Sequence, residues 1–123
     1  MDSRDQMAFF RSFKKTDIDG KNIKVEIFNA CGVSNVAKEL TDYLREKNVD
    51  VVFYDNFIVK NRLHKISNTI VIDRKNKNRT NARRIARLIN AKNKYVIHQD
   101  SPEREVDVTI LIGQDYHELA PFR

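Results

Sequence analysis

Residues 23–54 constrain the fold of this 123-residue chain more than any other stretch. The stretch opens with the β-branched residues Ile23, Val25 and Ile27, which alternate with charged or aromatic neighbours in the pattern of a β-strand. Gly32 then offers the backbone freedom that a sharp turn into a helix requires. The sequence therefore predicts a strand, a tight turn, a helix and a second strand. A crossover of this length makes the two strands parallel.

The predicted helix of this unit has one apolar face. Its members are spaced three and four residues apart: Val33, Val36, Ala37, Leu40 and Leu44. We expect Ser34 or Asn35 to serve as the N-cap, and the helix to end near Asn48, because asparagine tolerates a left-handed cap.

Residues 69–98 repeat the same unit by spacing. A β-branched strand over 69–73 precedes a helix that ends near Asn90, and a further strand follows over 95–98. Its apolar stripe consists of four residues, with Leu88 alongside: Ala82, Ile85, Ala86 and Ile89. In each unit, the second strand begins 26 residues after the first: at residue 49 when the first begins at 23, and at residue 95 when the first begins at 69.

A fifth strand over residues 106–112 is almost continuously apolar, which favours a central place in the sheet. The predicted fold class is α/β (α+β): two strand–helix–strand units plus this strand form one mixed sheet of 4–5 strands packed with two main helices. The strand order stays open between a ferredoxin-like sheet with both helices on one face and a more open mixed sheet.

The predicted domain covers residues 23–116, with an N-terminal tail or linker over 1–22 and a C-terminal tail over 117–123. We expect the aromatic residues of the N-terminal tail to dock on the domain, with a membrane-proximal linker as the alternative: Phe9, Phe10 and Phe13. Residues 55–68 read as a long connection. No run reaches the roughly 20 apolar residues of a membrane helix, and no signal peptide is visible. A single cysteine excludes an internal disulfide.

The positive charge is concentrated in one part of the chain. Residues 60–94 contain 12 Lys/Arg and one acid, for a net charge of +11, whereas the rest of the chain contains 11 Lys/Arg and 16 acids, for a net charge of −5. This asymmetry favours an anionic partner. The alternative is a solvated face that only aids solubility.

The second helix carries the basic residues that we expect to bind a ligand. Arg79, Arg83 and Arg87 recur every four residues, so they share a helix face, and guanidinium groups make bidentate contacts with phosphate or carboxylate. The predicted ligand-binding set combines this face with the preceding loop: Lys75, Lys77, Arg79, Arg83, Arg84 and Arg87. The ligands considered are an anionic wall polymer, an anionic lipid surface and nucleic acid.

The first strand–helix loop is a second expected ligand site, because backbone N–H groups at a helix N-terminus attract anions. Its residues are Asn29, Cys31, Gly32 and Ser34. The alternative is a structural turn, since neither glycine-rich phosphate motif is present. An enzyme using Cys31 as nucleophile is a third hypothesis, but no motif supplies a histidine partner. We therefore predict no catalytic residue.

The remaining polar residues suggest structural roles. His64, His98 and His117 lack metal-ligand spacing, so we predict neither a metal nor a cofactor. Asp107 and Asp115 flank the last strand. We expect Asp107 to bond a loop amide, and Tyr116 to pack under a helix.

Several short motifs occur in the order and spacing of a known family. The runs VEIFNACGV at 25–33, TIVI at 69–72 and DVTILIGQDY at 107–116, with both helix stripes, resemble the LytR C-terminal domain family over residues 23–116. One departure is Ala30-Cys31-Gly32, which stands where the family has Gly-Ser-Gly. The heavy basic stretch is another.

The resemblance implies an accessory domain on the outer side of a bacterial membrane, where such domains often follow a membrane segment or a LytR-CpsA-Psr catalytic domain. The expected function is that of a non-enzymatic, cell-envelope-associated binding or accessory domain. Its expected partners are an anionic or glycan wall polymer, peptidoglycan or an envelope protein. The alternative is a basic cytoplasmic domain that binds nucleic acid. The oligomeric state stays open.

Overall fold

A computed structural model describes residues 22–123, so the expected N-terminal tail and its three phenylalanines lie outside the described residues. The strands are β1 (Lys24–Asn29), β2 (Asp50–Asn56), β3 (Ile58–Val59), β4 (Arg62–Leu63), β5 (Ile70–Asp73), β6 (Val96–His98) and β7 (Val108–Ile112). The helices are α1 (Val36–Glu46) and α2 (Thr80–Ile89), and short 3-10 helices cover Asn93–Tyr95, Tyr116–Glu118 and Ala120–Phe122.

The main sheet has the order β2-β1-β7-β5-β6. The predicted parallel pairing within each unit is confirmed, for β1 with β2 and for β5 with β6. The strand β7 lies at the centre, as its apolar run predicted, parallel to β1 and antiparallel to β5. The sheet is therefore mixed, with the closing strand inserted between the two units rather than the units pairing in a ferredoxin-like order.

Both helices pack on one face of this sheet. Apart from Val33, their predicted stripes are buried, and Leu40, Leu44, Ile85 and Ile89 have no exposed surface. They share one core with the inward residues of the strands: Val25, Ile27, Val71, Val96, Val108, Ile110 and Ile112. Each of these larger side chains contributes about 1.5–3 kcal/mol through burial. The hydroxyl of Tyr43 on α1 donates to the Leu88 carbonyl of α2 at 3.0 Å, which ties the two helices together.

The start of α1 differs in two details from the sequence prediction. Val33 precedes the helix and is 42% exposed, so it does not belong to the apolar stripe. Asn35 is the N-cap, but it adopts the left-handed conformation with φ of 69° and its side chain makes no cap bond. Asn48 is left-handed after the helix, as expected of an asparagine at this place.

The long connection contains a small hairpin of β3 and β4. Lys60 and Asn61 form its two-residue loop, and both have positive φ, the conformation that tight hairpin turns require. The segment expected as a C-terminal tail packs against the core instead of trailing from it, because Leu119 is 1% exposed and Phe122 contacts the same cluster.

Because both described helices lie on one face, we call the other side of the sheet the open face. It carries the alternate residues of the central strands, among them Glu26 and Phe28 on β1 and Thr109 and Leu111 on β7. Phe53 on β2 pairs with Glu26 after a bulge and is 48% exposed. Large apolar side chains therefore remain accessible on this side.

Candidate functional site

A buried carboxylate fixes the start of α2. Asp73 has no exposed surface and accepts four backbone N–H groups, from Lys75 at 3.0 Å, Asn76 at 2.6 Å, and Asn81 and Ala82 at 3.1 Å each. These N–H groups lie at and before the helix N-terminus, where donors lack helical partners and anions are favoured. The carboxylate therefore occupies the place that an anionic ligand would take.

The structure separates the six predicted basic residues into two groups. The Arg79 guanidinium is half-buried and donates to the Val96 carbonyl at 2.7 Å, which anchors α2 to the edge strand β6. The Lys75 ammonium donates to the Arg104 carbonyl at 2.9 Å. These two side chains thus have structural partners.

The other group points away from the sheet. The inward stripe of α2 fixes its rotation, so Arg83, Arg84 and Arg87 fall within an arc of about 100° on the outer side. Arg83 and Arg87 are exposed, and Arg84 is half-buried. Within residues 22–123, no carboxylate lies within 4.0 Å of these guanidinium groups. We call these three arginines the basic face; Lys77 is exposed in the loop before the helix.

The strand–helix loop is held by its own side chains. Asn29 is buried, its amide donates to the Val33 carbonyl at 2.7 Å, and its side-chain oxygen accepts the Cys31 N–H at 3.0 Å. Gly32 has φ of 81°, as the turn prediction required. Asn29 and Cys31 are therefore used inside the loop, whereas Gly32 and Ser34 are exposed.

A shallow cleft of about 360 Å³ lies beside this loop. Its lining is mostly polar: Asn29, Ser34, Asn35, Ala37, Lys38, Tyr54, Asp55 and Asn56. Lys38 is the one cation of this lining, and its ammonium pairs with Asp42 at 2.9 Å. The cleft thus offers hydroxyl and amide groups rather than free positive charge.

Cys31 lies in a setting that disfavours a nucleophile. Its thiol is 5% exposed and donates to the side-chain oxygen of Asn29 at 3.0 Å. Burial raises the pKa of the Cys31 thiol, which lowers the thiolate fraction at neutral pH. This is the opposite of the lowered pKa that a catalytic role would need.

The other polar residues singled out from the sequence have structural partners. Asp107 accepts the Lys24 N–H at 2.9 Å, and Asp115 accepts both the N–H and the hydroxyl of Thr69, at 2.9 and 2.6 Å. Tyr116 packs on the core edge. In the described part of the chain, no three His, Cys, Asp or Glu side chains come together in a way that could hold a metal ion.

Sequence reasoning missed a polar network on the open face. A single nitrogen of Arg104 donates to both oxygens of Glu26, at 2.9 and 2.7 Å, and the Thr109 hydroxyl donates to the same carboxylate at 2.6 Å. Arg74 Nε donates to the Thr109 hydroxyl at 2.9 Å, and its Nη1 donates to the Gln99 side chain at 2.7 Å. The sequence contained two signals of this network: the charged Glu26 within an alternating strand and the polar Thr109 within an otherwise apolar strand.

Neither described helix is both long and apolar enough to cross a bilayer. A search of curated proteins finds no match to the chain. Among solved structures, the chain is similar to the soluble domain of a conserved hypothetical secreted protein from Mycobacterium marinum, with a TM-score of 0.58 and 15% sequence identity. The likeness covers 88% of this chain and 72% of that one, and at this identity it bears on the fold alone.

The family comparison covers most of the domain. The model described as "LytR cell envelope-related transcriptional attenuator" matches residues 22–116, which include every strand of the main sheet, both helices and the basic face. This range agrees with the region over which the sequence motifs resemble that family. The chain therefore belongs to the LytR C-terminal domain family of cell-envelope proteins.

Proposed function

We propose that this domain is a non-enzymatic binding module of the cell envelope that holds an anionic wall polymer through its basic face. The observation that carries the proposal is the set Arg83, Arg84 and Arg87, three outward guanidinium groups with no carboxylate partner among residues 22–123. Membership of a cell-envelope family favours a wall component as the source of the negative charge.

The geometry suits a repeating polyanion better than a small ion. Asp73 already occupies the helix N-terminus, so attraction must come from side chains spread along α2. Positions 83 and 87 are one helical turn apart, about 6 Å along the axis, which lets neighbouring arginines contact successive charges of one chain. Lys77 extends this surface toward the loop.

The location that fits this function is the extracytoplasmic side of the membrane. Family membership supports it, and the similar Mycobacterium marinum protein is described as secreted. In the strand–helix loop, the exposed Gly32 and Ser34 are a second proposed contact for a polymer or an envelope protein.

The experiment compares two variants of equal charge against a purified anionic wall polymer. The test variant is Arg83→Gln/Arg84→Gln/Arg87→Gln, which removes three charges and keeps good helix formers. The control is Lys24→Gln/Lys38→Gln/Lys47→Gln, which removes three charges from exposed lysines outside the basic stretch. Affinity is measured at two salt concentrations.

We expect the arginine variant to bind at least about tenfold more weakly at low salt, equivalent to about 1.4 kcal/mol, and the lysine variant to stay within about threefold of wild type. The wild-type affinity falls as salt rises, because exposed charges are screened. Equal losses in both variants would show that only net charge matters and would remove the basic face from the account. Unchanged binding by the arginine variant would do the same.

A further inference from the structure

The open face contains a groove that neither the basic face nor the family assignment explains. Its volume is about 470 Å³, and it runs across β2, β1, β7 and β5. Its lining combines phenyl and aliphatic side chains with polar ones: Phe28, Phe53, Asp55, Asn56, Phe57, Ile58, Ile72, Arg74, Gln99, Arg104, Thr109 and Leu111. The groove lies on the side of the sheet away from the helices.

One end of this groove holds an unusual positive charge. Arg74 is 8% exposed, and its recorded hydrogen bonds go to neutral oxygens of Thr109 and Gln99. No carboxylate of the described chain lies within 4.0 Å of its guanidinium. A buried cation without an anionic partner is costly, so its retention calls for an explanation.

Of the two guanidinium groups at this end, only that of Arg104 contacts a carboxylate of residues 22–123 directly. Arg104 pairs with Glu26 at 2.7 Å, and Thr109 relays between that carboxylate and Arg74. Burial, and then the charge of Arg104, lower the pKa of Arg74 from its usual value, while the charges of Glu26 and Glu103 act in the opposite direction. Glu103 is exposed and accepts a bond from Ser101, outside the groove lining. This end is therefore suited to receive a carboxylate.

The middle and the far end of the groove have a different chemistry. Phe28 stands between Phe53 and Phe57, with ring centroids 5.9 and 6.1 Å apart, which makes an apolar aromatic floor. Beyond it, Asp55 provides carboxylate oxygens that accept hydrogen bonds from hydroxyl groups, and Asn56 provides an amide NH₂ that donates to them. The polar groups at both ends argue against a simple lipid tail, which would need an apolar end.

We propose that this groove binds a saccharide that carries a carboxylate, with the carboxylate beside Arg74 and Arg104. The apolar face of the sugar ring rests on the phenylalanine floor, and its hydroxyl groups donate to Asp55 and accept from the Asn56 amide. This site is separate from the basic face, so its success or failure does not depend on the arginines of α2.

The test uses the full chain, labelled with nitrogen-15, and two oligosaccharides of equal length. The acidic probe is a tetrasaccharide of alternating glucuronic acid and N-acetylglucosamine, and the neutral probe is the tetramer of N-acetylglucosamine. Inorganic phosphate is a third probe that carries charge without a sugar. Backbone amide shifts report both where each probe binds and how tightly.

Three variants locate the contact. Arg104→Gln removes a guanidinium from a side chain that is 42% exposed, and Phe53→Ala removes an exposed ring from the floor. Tyr54→Ala is the matched control, since it removes a similarly exposed ring that lies in the cleft on the other side of β2. The amide spectrum of each variant verifies its fold.

We expect the acidic probe to bind in the millimolar range or tighter, at least about tenfold more tightly than the neutral one, with shifts at β1, β7 and β5. Arg104→Gln removes most of this preference, Phe53→Ala weakens both sugars, and Tyr54→Ala changes neither. Absence of shifts in the groove, equal binding of the two sugars, or an equal effect of Tyr54→Ala would overturn the proposal. Phosphate binding as tightly as the acidic sugar would show an anion site without sugar recognition and would also overturn it.

Discussion

Replacing the carboxylate of Asp73 by an amide is the substitution that most sharply tests how α2 is held. The carboxylate is fully buried and accepts two N–H groups on each oxygen, Lys75 and Asn76 on Oδ1 and Asn81 and Ala82 on Oδ2. In Asp73→Asn one oxygen becomes an NH₂ group, which turns two attractive contacts into donor–donor contacts. Side-chain rotation cannot restore both pairs.

The expected loss follows from the number of bonds. A hydrogen bond to a charged group contributes about 1.5–3 kcal/mol, and two such bonds are lost, with some relaxation toward water at the partly buried loop. We therefore expect the free energy of unfolding to fall by about 3 kcal/mol. For a domain of this size, that loss lowers Tm by about 10 °C.

Urea unfolding followed by circular dichroism measures this loss, and amide hydrogen exchange shows whether the first turn of α2 opens. The matched control is Asp42→Asn, because Asp42 is an exposed acid that pairs with Lys38 on the same helix and with no other cation of residues 22–123. Its expected cost is below about 0.5 kcal/mol. A loss below about 1 kcal/mol in Asp73→Asn, or an equal loss in the control, would refute the claim that Asp73 anchors the helix.

The remaining four predictions concern Gly113, Thr41 and Cys31. Gly113→Ala is expected to lower the free energy of unfolding, measured by chemical denaturation, by about 2 kcal/mol or more, because an added Cβ would lie 2.5 Å from the backbone carbonyl carbon of Asn68. An unchanged free energy of unfolding would mean that the backbone segments at Gly113 and Asn68 move apart easily. Thr41→Val is expected to stabilise the protein by about 1 kcal/mol in the same assay, since the buried Thr41 hydroxyl has no partner within residues 22–123; destabilisation would reveal a missed bond. The raised pKa of Cys31 predicts slow alkylation by iodoacetamide at pH 8, and a rate like that of a free thiol would contradict it. In the unfolded chain, the Cys31 thiol has a pKa near its ordinary value of 9.0, so it loses its proton at a lower pH than the thiol of the folded protein. We therefore expect the free energy of unfolding to fall as pH rises above 9.0, and Cys31→Ala to remove that part of the pH dependence.

The fold was predictable where local periodicity and burial act together. The residues of the α1 and α2 stripes are spaced three and four apart, and all of them except Val33 are buried. The apolar run of β7 indicated a central strand, and the equal 26-residue spacing indicated two units that each contain a parallel pair of strands. These features depend on neighbours along the chain, which a sequence displays directly.

The site was harder to predict because it depends on residues far apart in sequence. The six predicted basic residues look equivalent in sequence, yet Arg79 donates to the Val96 carbonyl and Lys75 to the Arg104 carbonyl. The open-face network joins Glu26 to Arg104 across 78 residues. Arg74 appeared only as one more charge of the basic stretch, and only the tertiary structure places it in a groove.

The exposed Val33 shows the limit of periodicity at an element boundary. Its spacing from Val36 fits a helical stripe, but Asn35 turns into the left-handed conformation and the helix begins after it. At the start of α2, Thr80 and Asn78 are the cap candidates by residue type, but the N-cap is Arg79, and the capping carboxylate is that of Asp73 at the end of β5.

Co-sedimentation with purified sacculi, before and after removal of their anionic polymers, tests the proposed function most directly. A parallel duplex-DNA assay at the same two salt concentrations tests the alternative partner. We predict that wild-type protein sediments with the intact sacculi, that this binding falls sharply once the anionic polymers are removed, and that DNA binding is weaker at both salts. Equal sedimentation with stripped sacculi, or salt-sensitive binding to DNA alone, would contradict an envelope module that acts through the basic face.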